Sequence, residues 1–192
     1  MPLITVPPGE LATVVTRLEL RRRPRPAPLP DSRLRLVRWP APKPDAYRAL
    51  FRRVGARWLW YSRLALSDTA LATILAEPER QVHVAVDRAG VELGLVEFTR
   101  TGASVHLAYF ALVPELAGQG LGRWMMAETL ARAWRRETER LWLNTCTLDH
   151  PSALGFYRAQ GFEAVSRTIE TFADPRRTGL LPIDCAPQVP LL

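Results

Sequence analysis

The sequence has little cysteine. Cys146 and Cys185 are the only two in 192 residues. They form neither a disulfide framework nor a metal-ligand spacing, so no metal is expected and a stapled fold is excluded. Long hydrophobic runs are missing too. The longest, Leu107 to Val113, holds seven residues, far below the ~20 that cross a bilayer. The opening MPLITVPPGE carries no basic start followed by an apolar core, so no secretory signal is expected. These absences point to a reduced, cytoplasmic chain with no membrane partner. Lysine is nearly absent as well: Lys43 is the only one among 26 basic residues. No repeat is visible at solenoid periods.

What is present suits one globular domain over residues 1–192. Hydrophobic residues make up 47% and charged residues 23%, ordinary soluble-protein usage that excludes a disordered or fibrous chain. At this length folding buries roughly 70% of the unfolded surface, enough for a core without staples. Charge is uneven. Residues 1–60 carry 13 basic against 4 acidic side chains, whereas residues 61–192 carry 13 against 15. The excess peaks at Arg21-Arg22-Arg23-Pro24-Arg25. Such a run can hold phosphate, but no aromatic-interleaved basic stripe accompanies it, which argues against a nucleic-acid partner.

Local pattern predicts a mixed α/β domain. Leu11–Leu20 is rich in β-branched residues and reads as a strand. RRRPRPAPLPD then breaks regular structure, because each proline removes a donor. Leu34–Trp39 reads as a second short strand. Asp45 is placed to cap a helix to about Val54, and Asp68 another over Thr69–Ala76. Further strands are predicted at Gln81–Val86, Gly94–Arg100, Val105–Val113, Leu141–Thr147 and Glu163–Phe172. Helices are predicted at Leu121 to about Glu139, with Met126, Leu130, Ala133 and Trp134 on one face, and at Pro151–Gln160. His83 reads as packing on a sheet face. The tail after Phe172 is proline-rich and reads as irregular.

Two constellations can carry chemistry. The first is Ala117-Gly118-Gln119-Gly120-Leu121-Gly122-Arg123, after a strand and opening a helix. Alternating glycines admit a close ligand, and exposed amides at a helix start make an anion cradle. The spacing matches neither a Walker loop nor the dinucleotide fingerprint. The second runs from Asp149 to Phe162, DHPSALGFYRAQGF. Asp149 or His150 is positioned to cap the short helix there. Gly155 inside it points to a close approach, and Tyr157 taken alone is ambiguous between core and site.

Together the two constellations resemble the GNAT superfamily of acyl-CoA-dependent N-acetyltransferases, over about residues 81–170. The resemblance implies a mostly antiparallel central sheet flanked by helices, with a V-shaped splay between two central strands. Residues 1–80 then form N-terminal strands, helices and the basic arm, 81–172 the acyl-CoA-binding core, and 173–192 the tail. It implies acetyl-CoA as co-substrate, with the pyrophosphate on Gly118, Gln119, Gly120, Leu121, Gly122 and Arg123. Ala117 stands where the family carries Arg or Gln. The pantetheine arm would pair with backbone at Leu112 and Val113, beside Asn144, His150 and Ala153. His150 stands where Asn is usual, while Ala153 and Tyr157 match. Resemblance and the arginine-heavy composition also point to a bacterial-type enzyme.

The implied reaction is direct attack of an amine on the thioester in a ternary complex, with Tyr157 donating a proton to the departing thiolate. The amine must first be neutral. At pH 7 that costs about 4.6 kcal/mol for a lysine-like amine but only about 1 kcal/mol for an α-amine. Two base candidates stand on adjacent strands, Glu97 in GLVEF and His106 in SVHLAYF. A two-residue turn at 102–103 would put Glu97 opposite Ala108, with His106 diagonal to it on the same face. Trp58, Trp60 and Tyr61 lie where the family's first two helices shape the acceptor pocket, and the flanking Arg57 and Arg63 are suited to an acidic acceptor. The acceptor is expected to be a small-molecule, peptide or protein amine. A CoA-binding sensor without catalysis is the alternative. The basic arm and tail offer surfaces for a homodimer.

Overall fold

The computed structural model describes residues 3–25 and 28–192. Met1 and Pro2 of the opening stretch, and Pro26 and Ala27 of the proline-rich break, lie outside the described residues. Seven strands form one sheet: β1 (Glu10–Leu20), β2 (Arg35–Arg38), β3 (Arg80–Val86), β4 (Glu92–Thr101), β5 (Ser104–Leu112), β6 (Arg140–Cys146) and β7 (Glu163–Ala173). Four α-helices flank it: α1 (Pro44–Gly55), α2 (Asp68–Leu75), α3 (Leu121–Ala133) and α4 (Ala153–Ala159).

Helix ends depart from the pattern for local reasons. Ser67, not Asp68, caps α2, its Oγ accepting the Ala70 N–H at 3.2 Å. Lys43 occupies the N-cap of α1, and Asp45 sits in the first turn, where its charge favours the helix dipole. Helix α3 stops at Ala133 instead of about Glu139. Trp134 turns extended (ψ 102°) and buries its ring, and Thr138 Oγ1 accepts the Arg135 N–H at 3.0 Å to close a turn.

The strand order is β2-β3-β4-β5-β6-β1-β7. Every neighbouring pair is antiparallel except β5 and β6. Chain order does not foretell that β1 inserts between β6 and β7. The insertion occupies one whole side of β6, pairing Leu141–Cys146 with Leu20–Val15. On its other side β6 pairs with β5 only at Arg140–Trp142 against Ser104–His106. Beyond His106 the two strands part, so main-chain groups of β5 that face β6 have no strand partner. This is a V-shaped splay. A β-bulge bends β5 within it: Phe98 pairs with Leu107 and Glu97 with Tyr109, leaving Ala108 without a partner. Such an extra residue bends the strand and increases its twist.

One hydrophobic cluster lies on both sides of the sheet. Tyr47, Phe51 and Leu71 belong to it from α1 and α2, and Met125 and Met126 from α3. The tail is irregular yet packed. Leu181 is buried, and the buried Arg176 pairs with Asp174 at 2.7 Å and donates to the Val189 carbonyl at 2.8 Å.

His83 is 3% exposed and stacks on Phe98 at 5.5 Å. Burial, reinforced by Arg38, Arg132 and Arg100, lowers its pKa to about 4. The native ring is therefore neutral where the unfolded ring, near 6.5, takes a proton. Its contribution is intact above pH 6.5 and is lost as pH falls toward 4, on the order of 3 kcal/mol. Melts between pH 7 and 4 should show a shallower acid slope in His83→Gln than in the native protein. An identical slope would refute this assignment.

Candidate functional site

After β5 the chain makes a 3-10 turn at Pro114–Leu116 and enters the glycine loop. Gly118 and Gly120 both have φ of 75°, a conformation that side chains with Cβ disfavour. A Cβ at either would meet no atom within 4 Å, so the penalty there is purely conformational. Gly120 is the N-cap of α3 and supplies no side-chain cap. The amides of Leu121 and Gly122 thus open α3 free for an anion, with the dipole behind them. The Arg123 N–H is already given to the Gly120 carbonyl at 3.2 Å, so Arg123 offers its guanidinium instead of its amide. Gln119 braces the loop, donating to the Glu115 carbonyl at 2.9 Å and accepting from Arg33 at 2.6 Å.

A cleft of about 340 Å³ fills the splay. Gly118, Gly120, Gly122 and Arg123 line one end, and Trp58, Trp60, Asp149 and His150 the other. Leu112, Val113, Asn144, Ala153 and Tyr157 line the walls between them. Gln119 and Leu121 instead line an adjoining hollow of about 450 Å³ with Arg33 and Arg88. That hollow brings Arg33, from the basic N-terminal stretch, to the phosphate-type loop.

Tyr157 packs its ring against Phe110, Phe156 and Phe162. Its hydroxyl has no hydrogen-bond partner among the described residues. Burial, with the Asp149 charge nearby, pushes its pKa well above that of an ordinary tyrosine. The group is an acid held in its protonated form. Gly155 is exposed, and no atom would lie within 4 Å of a Cβ there. The close approach inferred from that glycine is absent from the protein's own packing.

Glu97 does not line the cleft. It is fully buried, its Oε1 accepting from Arg63 at 2.6 Å and from Arg80, and its Oε2 from the Tyr47 hydroxyl. It stands opposite Tyr109 and not Ala108, because the bulge at Ala108 shifts the register by one. A carboxylate shared by two guanidinium groups and a phenol is a structural anchor and is unavailable as a base. The same ion pair engages Arg63, which removes it as the selector of an acidic acceptor. His106 lies on the same sheet face, outside the cleft lining, with its ring stacked 3.7 Å from Trp142. Burial and nearby Arg80 lower its pKa to about 4. Tyr61 also stays outside the lining, stacked on Phe172 at 4.9 Å.

Of the two residues positioned by sequence to cap α4, Asp149 or His150, the structure gives Asp149 another place. Its Oδ2 accepts from Thr145 Oγ1 at 2.7 Å and from the Cys146 N–H at 2.9 Å. Its Oδ1 accepts from Trp60 Nε1 at 3.1 Å. His150 Nδ1 accepts the Ser152 N–H at 3.1 Å just before the helix, whose N-cap is Ser152 with no side-chain cap. No periodicity marks Asp149, because its partner Trp60 lies 89 residues earlier.

A family model described as the Acetyltransferase (GNAT) family matches residues 19–162. The chain belongs to the GNAT acetyltransferase family. Solved structures agree with this GNAT protein at the level of fold. A GCN5-related N-acetyltransferase from Sphaerobacter thermophilus superposes with a TM-score of 0.62 at 15% identity, over 87% of this chain and 52% of that one. The GNAT chain described here thus spans about half of that protein's length. A GNAT-family protein from Novosphingobium aromaticivorans gives 0.56 at 15% identity, over 88% and 68%. An aminoglycoside acetyltransferase from an uncultured soil metagenomic sample gives 0.55 at 17% identity, over 66% and 86%. No curated protein matches the sequence. Among the described residues this GNAT has no cluster of metal-ligating side chains and no helix long and apolar enough to cross a membrane.

The glycine loop of this GNAT is directly testable. Gly120→Ala forces a left-handed residue at the helix start, costing about 1 kcal/mol of stability. It should also weaken coenzyme A binding in calorimetry by roughly tenfold, because the amides of α3 are re-aimed. Unchanged binding would show that the loop is only a turn.

Proposed function

We propose that the protein is an N-acetyltransferase that moves an acetyl group from acetyl-CoA to a primary amine by direct attack in a ternary complex. The observation that carries this reading is the splay between β5 and β6, which joins the glycine loop to Tyr157 in one cleft. The pyrophosphate fits the start of α3 at Gly118 to Gly122, with Gln119 bracing the loop and Arg123 adding charge. The pantetheine arm fits beside Leu112 and Val113, on the side of β5 that β6 leaves open beyond His106, with Asn144, His150 and Ala153 on the facing wall. The thioester then lies near Tyr157.

The neutral amine attacks the carbonyl carbon, the C–N bond forms, and the C–S bond breaks. Tyr157 gives its proton to the departing thiolate and regains one from the new ammonium-like nitrogen. The phenol suits this role, because it is protonated at every working pH and has no competing partner. Unpaired amides of β5 within the splay are suited to stabilise the oxyanion.

Thiol release from acetyl-CoA over a panel of primary amines tests the reading. Turnover with at least one amine supports it. Tight coenzyme A binding without turnover on any amine would replace it with a CoA-sensing module.

A further inference from the structure

Asp149 is a half-buried carboxylate in a chain that carries 26 basic against 19 acidic residues. No ion pair among the described residues involves it. Its three donors are neutral: a hydroxyl, a backbone N–H and an indole N–H. A carboxylate has about four acceptor positions, so one remains open on Oδ1. The fully buried carboxylates Glu97, Glu19 and Asp174 each have an arginine partner. Asp149 is placed by contacts from two separate parts of the fold, the end of β6 and the segment after α1, in the wall of the cleft.

The cleft is therefore bipolar. The start of α3 and Arg123 line one part of it, and Asp149, held by the Trp60 indole N–H and followed by the His150 that packs on Trp58, lines another. A fixed carboxylate with an open acceptor position and no ion-pair partner of its own suits an ammonium group. We propose that Asp149 is a catalytic residue that binds the ammonium group of the acceptor and takes its proton, so that the acceptor is an organic cation with a primary amine. This inference rests on the acetyltransferase reading and names the substrate class of that same cleft.

The proton balance closes. The bound ammonium gives one proton to Asp149, which releases it to water. The nitrogen, now neutral, forms the C–N bond as the C–S bond breaks. The second proton leaving nitrogen restores the Tyr157 hydroxyl, whose own proton has gone to sulfur. The titratable groups facing Asp149 are Tyr157 of α4, Cys146 of β6 and His150 of its own turn. Burial raises the pKa of both Tyr157 and Cys146, so both are neutral near pH 7.

Asp149→Asn keeps the shape and removes the charge. With an amine substrate found in the panel, kcat/KM at pH 7 should fall by about 10²–10³-fold. The loss should shrink steadily toward pH 10, where the free amine is neutral without help. A merely structural role would give a loss constant with pH. Thr145→Val, which removes one hydrogen bond but keeps the charge, should leave the pH profile in place. Coenzyme A affinity by calorimetry should stay within about threefold in both variants, which verifies a folded cleft.

A second measurement does not need turnover. In the presence of coenzyme A, phenethylammonium should bind the native protein at least tenfold more tightly than its neutral isostere 2-phenylethanol. Asp149→Asn should abolish that preference. Equal binding of the two probes to the native protein, or a pH-independent loss in the variant, would overturn the proposal. Should the charge preference appear without turnover on any amine, the cation site stands and the acetyltransferase reading fails.

Discussion

Replacing Tyr157 with phenylalanine lowers kcat by about 10²–10⁴-fold and leaves KM for acetyl-CoA within about twofold. The split follows from where the hydroxyl sits. It makes no hydrogen bond among the described residues, so its removal costs the fold little, and the ring that packs on Phe110, Phe156 and Phe162 is retained. In the proposed reaction the lost step is proton donation to a leaving thiolate, which matters in the transition state and not in binding. The pH profile gives a second check. Burial and Asp149 raise the phenol pKa, so the acid form persists well past the range of an ordinary tyrosine. The native enzyme should therefore show no alkaline loss of kcat up to pH 10. A falling limb there, or a Phe variant with native kcat, would remove Tyr157 from the chemistry.

Glu97→Ala should destabilise the protein by about 3–5 kcal/mol. It leaves Arg63 and Arg80 facing each other without their shared carboxylate, and strips the Tyr47 hydroxyl of its acceptor inside the core. For a domain of this size the melting temperature should drop by roughly 6–20 °C. The loss arises from stranded charge, so Glu97→Gln should recover only part of it. At a temperature where both variants are folded, the pH dependence of kcat/KM should match the native protein. A stable Glu97→Ala protein whose pH profile is altered would instead return Glu97 to the reaction.

These expectations differ from those drawn on the sequence at the points where distant segments meet. The strand carrying Glu97 and the strand carrying His106 were both correctly located, and the hairpin register held from the turn to the pair Phe98–Leu107. One extra residue at Ala108 then shifted the partner of Glu97. Bulges leave little trace in an alternating pattern, since a single alanine fits either face. The arginines that neutralise Glu97 come from two other segments, 17 and 34 residues away. No spacing rule links them to it.

Asp149 shows the same limit from the other side. An Asp before a short helix is read as a cap because capping is the common local use of that side chain. The competing donors, Trp60 above all, are unrelated to it in sequence. The N-terminal strand is a third case. Its residues specify a β-strand, while its place is set by backbone pairing with β6 and β7, both far along the chain.

Local pattern along the chain was enough to locate the strands and helices, though not every helix end, and to give the mixed α/β class and the glycine loop opening α3. All of these follow from local rules: β-branched runs, apolar periodicity, and glycines where the backbone turns left-handed. The tertiary structure decided the rest, including the seat of β1, the end of β5–β6 pairing at His106, the burial of Glu97 and the unpaired charge of Asp149. Those depend on which groups come within a few ångströms across long stretches of chain. Charge neutralisation and hydrogen-bond completion act at that range, and pattern along the sequence does not encode it.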